Sequence, residues 1–87
     1  MSTADLIRER LAALEPETLT LEDESAQHRG HAGAAGGGGH FRLVIVSPKF
    51  RKLNTLARHR LVYETLGELM QREIHALSIT ALTPEEL

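Results

Sequence analysis

The spacing of apolar residues changes period several times along this chain, and each change marks an element. Leu6, Ile7, Leu11 and Leu14 recur at three- and four-residue intervals and share one helical face, with Arg8, Glu9 and Glu15 elsewhere. Ser2 or Thr3 is placed to cap this helix near Ala4, with Asp5 at its positive end. Pro16 ends it, because the residue before a proline is pushed out of the α region. The period then drops to two: Leu19 and Leu21 alternate with Thr18, Thr20 and Glu22, which predicts a half-buried strand reaching about Ser25. His40 to Ser47 is strongly β-forming. Phe41, Leu43 and Ile45 fall on one face and Val44 and Val46 on the other, which predicts a central strand ended by Pro48.

Residues 49–54 carry Phe50 and Leu53 at single-turn spacing. Thr55 is then expected to cap a helix reaching about Arg72, with Leu56, Val62, Tyr63, Leu66, Leu69 and Met70 on its apolar side. Gly67 inside that helix costs about 1 kcal/mol relative to alanine and marks close packing against a neighbour. Ile74 to Ala81 predicts a third strand, with His75, Leu77, Ile79 and Ala81 on its inward face. Thr83-Pro84-Glu85-Glu86 is a capping box opening a single turn. The order is α-β-β-α-β with a short extra helical turn. It predicts an α+β fold: a three-stranded mixed sheet, strands one and two antiparallel, strands two and three parallel, with helices on one face. The 87 residues form a single domain, 1–87.

Four consecutive glycines, Gly36 to Gly39, make residues 26–39 a flexible loop whose role is to carry His28 and His31. The run is not a phosphate-binding loop, since no Gly-Lys-Ser/Thr follows and it leads into a strand. The chain has no cysteine, hence no thiolate metal site and no cysteine nucleophile of its own. Phe41, Phe50 and Tyr63 are the only aromatics, too few for a base-stacking platform. No apolar run near 18 residues and no leader pattern appears, so the default expectation is a cytoplasmic protein without a membrane partner. No serine sits in a nucleophile elbow and no acid pair has a pocket signature, so no enzymatic activity is expected.

Net charge is −2, but the charges are segregated. Residues 28–60 hold seven bases and no acid, between two acidic flanks. Charge alone leaves two readings open: a working face for a partner, or opposite charges that meet inside the fold. Among the histidines, His28 and His31 form an H-x-x-H spacing, and His75 stands near the start of a strand as a potential rigid metal ligand. His59 reads as structural, and His40 as a weak candidate.

Asp23-Glu24-Ser25, a loop histidine, His40-Phe41-Arg42, Val46-Ser47 with Phe50, Arg58-His59-Arg60, Ile74-His75-Ala76-Leu77 and Thr83-Pro84-x-Glu86 together resemble the BolA family, from about Leu6 to Glu86. The resemblance implies a fold like a type II KH domain and partnership with a monothiol glutaredoxin. In such pairs a [2Fe–2S] cluster is shared: the glutaredoxin gives one cysteine, bound glutathione another, and the BolA-like chain the rest. The family's strand ligand maps onto His75. Its loop ligand maps onto His31, which abuts the glycine stretch, or onto His28, which keeps the usual distance from Asp-Glu-Ser. No cluster is expected in the isolated chain, which would be a monomer or weak homodimer. Many relatives have glycine where this chain has Lys52, so the segment is unusually basic. The family's second implied role is DNA binding and transcriptional regulation. It would use Lys49, Arg51, Lys52, Arg58 and Arg60 on phosphates, against the negative net charge.

Overall fold

A computed structural model describes residues 1–24 and 39–87. Helix α1, Thr3–Leu11, opens on a reciprocal cap: the Asp5 amide donates to Ser2 Oγ and the Ser2 amide donates to the Asp5 carboxylate. A 3-10 turn, Ala12–Leu14, extends it. Ile7, Leu11 and Leu14 are buried, as their spacing predicts. Strands β1 (Thr18–Asp23), β2 (Gly39–Val46) and β3 (Ile74–Leu82) form one sheet in the order β1-β2-β3. The β1–β2 pair is antiparallel and the β2–β3 pair parallel, so β2 is the central strand, as expected. Within the predicted loop, Gly39 opens β2, while Ser25, His28 and His31 lie outside the described residues.

Phe41, Leu43 and Ile45 are buried on the face of β2 that packs against the helices. The register sets Leu43 between Leu21 and Ile79, so all three strands give apolar residues to one core. The other face carries Thr20, Arg42, Ser78 and Thr80 around Val44. A sheet with a parallel pair is normally covered on both sides. Here the alternating polar residues let the second face meet water.

A second 3-10 turn, Pro48–Phe50, follows β2 and is capped by Ser47, whose hydroxyl accepts from the Lys49 amide at 3.0 Å. The same hydroxyl donates to the Leu14 carbonyl, tying this turn to the end of α1. Phe50 is fully buried and anchors the basic segment to the core.

The long second helix expected from the sequence is two helices, α2 (Thr55–Leu66) and α3 (Leu69–Arg72). Its cap is Asn54 rather than Thr55, with Asn54 Oδ1 accepting from the Ala57 amide at 2.8 Å. Gly67 ends α2 with φ +55 and ψ −126, a conformation that L side chains avoid. The close neighbour is Arg10, whose Nη1 donates to the Leu66 carbonyl and would lie 3.4 Å from a Cβ at Gly67. The turn re-aims the chain so that Val62, Leu66 and Leu69 face the core. Leu56 and Tyr63, expected on the apolar side, are instead 59% and 42% exposed. A last 3-10 turn, Pro84–Glu86, carries the expected capping box between Thr83 and Glu86.

Candidate functional site

Strands β2 and β3 both start at one end of the sheet, and that end holds two histidines. The register runs without interruption from His40↔Ala76 to Val46↔Leu82, but Gly39 pairs with Ile74. One extra residue on β3, His75, is therefore accommodated in a bulge. The bulge breaks the two-residue alternation. Ile74 and Leu77 both turn toward the core, while His75 and Ala76 between them are exposed. His75 is thus not on the inward face that strict alternation predicts. It stands outside the core, where a partner can reach it. Its ring lies 4.9 Å from that of His40, centre to centre, with the two planes tilted by 42°. His40, a weak candidate in the sequence, is brought next to the strongest one by the parallel register. A polar cleft of about 290 Å³ between the starts of α1 and β2 and the end of α3 is lined by Asp23, Gly39, Arg72 and Glu73, and contains neither histidine.

The basic segment lies where β2 and β3 end. Three of its five candidate phosphate contacts are engaged by acids of the same chain. Lys49 pairs with Glu15 at 3.5 Å. Arg51 donates through Nε and Nη2 to both oxygens of Glu85, at 2.7 and 2.6 Å. Arg58, only 14% exposed, donates to the Leu53 and Ala81 carbonyls and to Glu86. Hydrogen bonds from Arg58 Nη1 and the Thr83 amide hold the Glu86 carboxyl down from the ordinary 4.5 to about 2. Hydrogen bonding to Arg51 lowers that of Glu85 and raises the Arg51 guanidinium. Lys52 and Arg60 are exposed and take part in no ion pair among the described residues. Lys52 also adopts φ 67, the left-handed region that favours glycine. Opposite charges meeting on the surface of the fold thus explain much of the charge segregation. The sequence showed the bases but not that Glu15, Glu85 and Glu86 would face them.

Among the described residues no three His, Cys, Asp or Glu side chains gather closely enough to hold a metal ion alone. An exposed imidazole on a rigid strand fits an iron–sulfur centre that accepts histidine in place of thiolate. With no cysteine in the chain, any thiolate donor to such a centre would come from another molecule. No described helix is long and apolar enough to cross a membrane.

A family model described as BolA-like protein matches residues 11–86. The chain is 47% identical over 87 residues to "Protein BOLA1, chloroplastic" of Arabidopsis thaliana, an alignment covering 95% of this chain and 54% of that protein. It is 34% identical over 87 residues to "DNA-binding transcriptional regulator BolA" of Haemophilus influenzae, covering 99% and 82%. The chain spans about half the length of the plant BOLA1 protein and of the mouse "BolA-like protein 1". Among solved structures, the BolA domain of SufE1 from Arabidopsis thaliana superposes with a TM-score of 0.87 at 43% identity, covering 100% of this chain and 98% of that one.

Proposed function

This chain belongs to the BolA-like family, and from that premise we propose that it is a non-enzymatic adaptor that docks on a monothiol glutaredoxin and shares a [2Fe–2S] cluster with it. The observation that carries the reading is the bulge that turns His75 out of the core on an otherwise regular strand. His75 offers one nitrogen, and His31 or His28 a second from the loop; the glutaredoxin cysteine and glutathione supply sulfur. Imidazole ligation raises a cluster's potential and makes ligation sensitive to protons, which suits a transferable or sensing cluster. The chain alone is a monomer or weak homodimer in this reading, acts in the cytoplasm and carries no cluster.

Reconstitution with a monothiol glutaredoxin, iron, sulfide and glutathione tests it. A coloured heterocomplex is expected, with a visible CD spectrum that changes in His75→Ala and in one of His28→Ala and His31→Ala. An unchanged spectrum for His75→Ala in an intact complex rejects His75 as a ligand. A complex free of iron and sulfide leaves an apo interaction module.

A second reading, DNA binding, draws support from Lys52 and Arg60, the two exposed bases of the segment without an ion pair among the described residues, and from the names of the bacterial relatives. It predicts sequence-dependent affinity whose logarithm falls with log salt, weakened by Arg60→Ala. Equal affinity for random and promoter DNA reduces this to nonspecific binding.

A further inference from the structure

The sheet has two outer edges, and they differ in how they meet another strand. β1 carries Glu22 and Asp23 at its exposed end, and charge on an edge deters strand addition. β3 runs for 9 residues, Ile74–Leu82, with no acid, lysine, arginine or proline. Among the described residues no strand pairs with its outer side. The Ser47 amide donates to the Leu82 carbonyl, so Leu82, Thr80, Ser78 and Ala76 turn their backbone groups toward β2. Those of Leu77, Ile79 and Ala81 therefore turn outward. Arg58 agrees with this parity: its Nη1 reaches the Ala81 carbonyl from α2. With Ala81 clasped, the amides and carbonyls of Leu77 and Ile79 form the open stretch of the edge.

We propose that a second copy of this chain adds its β3 to this edge, antiparallel and about a two-fold axis at Ser78, joining the two sheets into one. The register is self-complementary. Leu77 of one copy lies opposite Ile79 of the other, and residues in such a pair exchange amide–carbonyl bonds. Both side chains are half-buried against the core, and the added strand covers more of them. On the other face Ser78 meets its own copy and Ala76 meets Thr80, all exposed and small. The uncharged strand selects the occupant: two copies oppose no like charges, whereas a charged peptide finds no counter-charge along 74–82. The Arg58 clasp keeps the paired stretch short, which places the contact at the small end of specific interfaces and makes the dimer weak. This deepens the weak-homodimer part of the reading above, and it uses neither histidine nor cluster.

Sedimentation equilibrium of the full chain over a concentration series tests it. A reversible monomer–dimer equilibrium is expected. Ser78→Lys sets two lysines face to face and should weaken the dimer at least about ten-fold, whereas Thr20→Lys on β1 leaves it within about two-fold of the parent. Mixing Ser78→Lys with Ser78→Glu should restore association. Far-UV CD checks folding, which an exposed serine leaves intact. The chain has no cysteine, so Ser78→Cys introduces a single thiol. The two-fold brings its copies to non-hydrogen-bonded positions about 4.5 Å apart, within disulfide reach. Mild oxidation should link Ser78→Cys into covalent dimers much faster than Thr20→Cys. A chain that stays monomeric up to about 1 mM overturns the proposal and leaves the edge to a strand of another protein. Equal cross-linking of the two cysteine variants overturns it too, as does a dimer that Ser78→Lys does not weaken. The cluster reading fails separately, through an unchanged heterocomplex spectrum in His75→Ala.

Discussion

The two ends of the parallel β2–β3 pair put polar side chains to opposite uses. Where the strands start, a bulge turns His75 out of the core beside His40. Where they end, Arg51 and Arg58 are locked onto Glu85 and Glu86, and Phe50 pins the intervening segment. By strand rise the two regions are about 25 Å apart. The lesson is that a dense run of one charge in sequence identifies neither a partner nor a face. What matters is which of those charges the fold has already neutralised. The histidine end is the better candidate because His75 stands exposed on an ordered strand.

The contrast can be broken most severely by Phe50→Ala. Removing a fully buried ring should destabilise the domain by about 3–5 kcal/mol, read as a shift in denaturant midpoint. The smaller change Arg58→Ala removes a nearly buried guanidinium that serves two carbonyls and Glu86. It should cost about 2–3 kcal/mol, against less than about 0.5 kcal/mol for exposed Arg60→Ala. Equal costs would show that the clasp is not structural. Lys52→Gly relieves a left-handed backbone and should stabilise by up to about 1 kcal/mol. A loss of stability there would mean that the lysine makes a contact worth more than its strain. The smallest effect concerns acid. The Glu86 carboxyl is depressed in the fold, so its contribution is present above the unfolded value near 4.5 and fades as pH falls toward about 2. Thermal midpoints across that window should fall less in Glu86→Gln than in the parent chain.

Much of this was legible in the chain itself. Leu6-Ile7-x3-Leu11, the Leu19/Leu21 alternation and the doubly apolar β2 announced their elements because burial on one face imposes a period that local geometry sets. The Thr83–Glu86 box was equally plain. Three features were misread for one reason: each depends on residues distant in sequence. Gly67 ends a helix where the periodicity of Leu66 and Leu69 ran through it. The bulge at His75 exists only in pairing with β2. Leu56 and Tyr63 look like core until the position of α2 against the sheet is known.

By itself, the sequence determined the element order, the central strand and the absence of any thiolate donor, since these follow from local period, β propensity and composition. The tertiary structure alone decided that His40 meets His75, that Arg51 and Arg58 are spent on Glu85 and Glu86, and that Lys52 and Arg60 stay exposed. Parallel register and the packing of a helix on a sheet join residues tens of positions apart, and no local pattern encodes those distances.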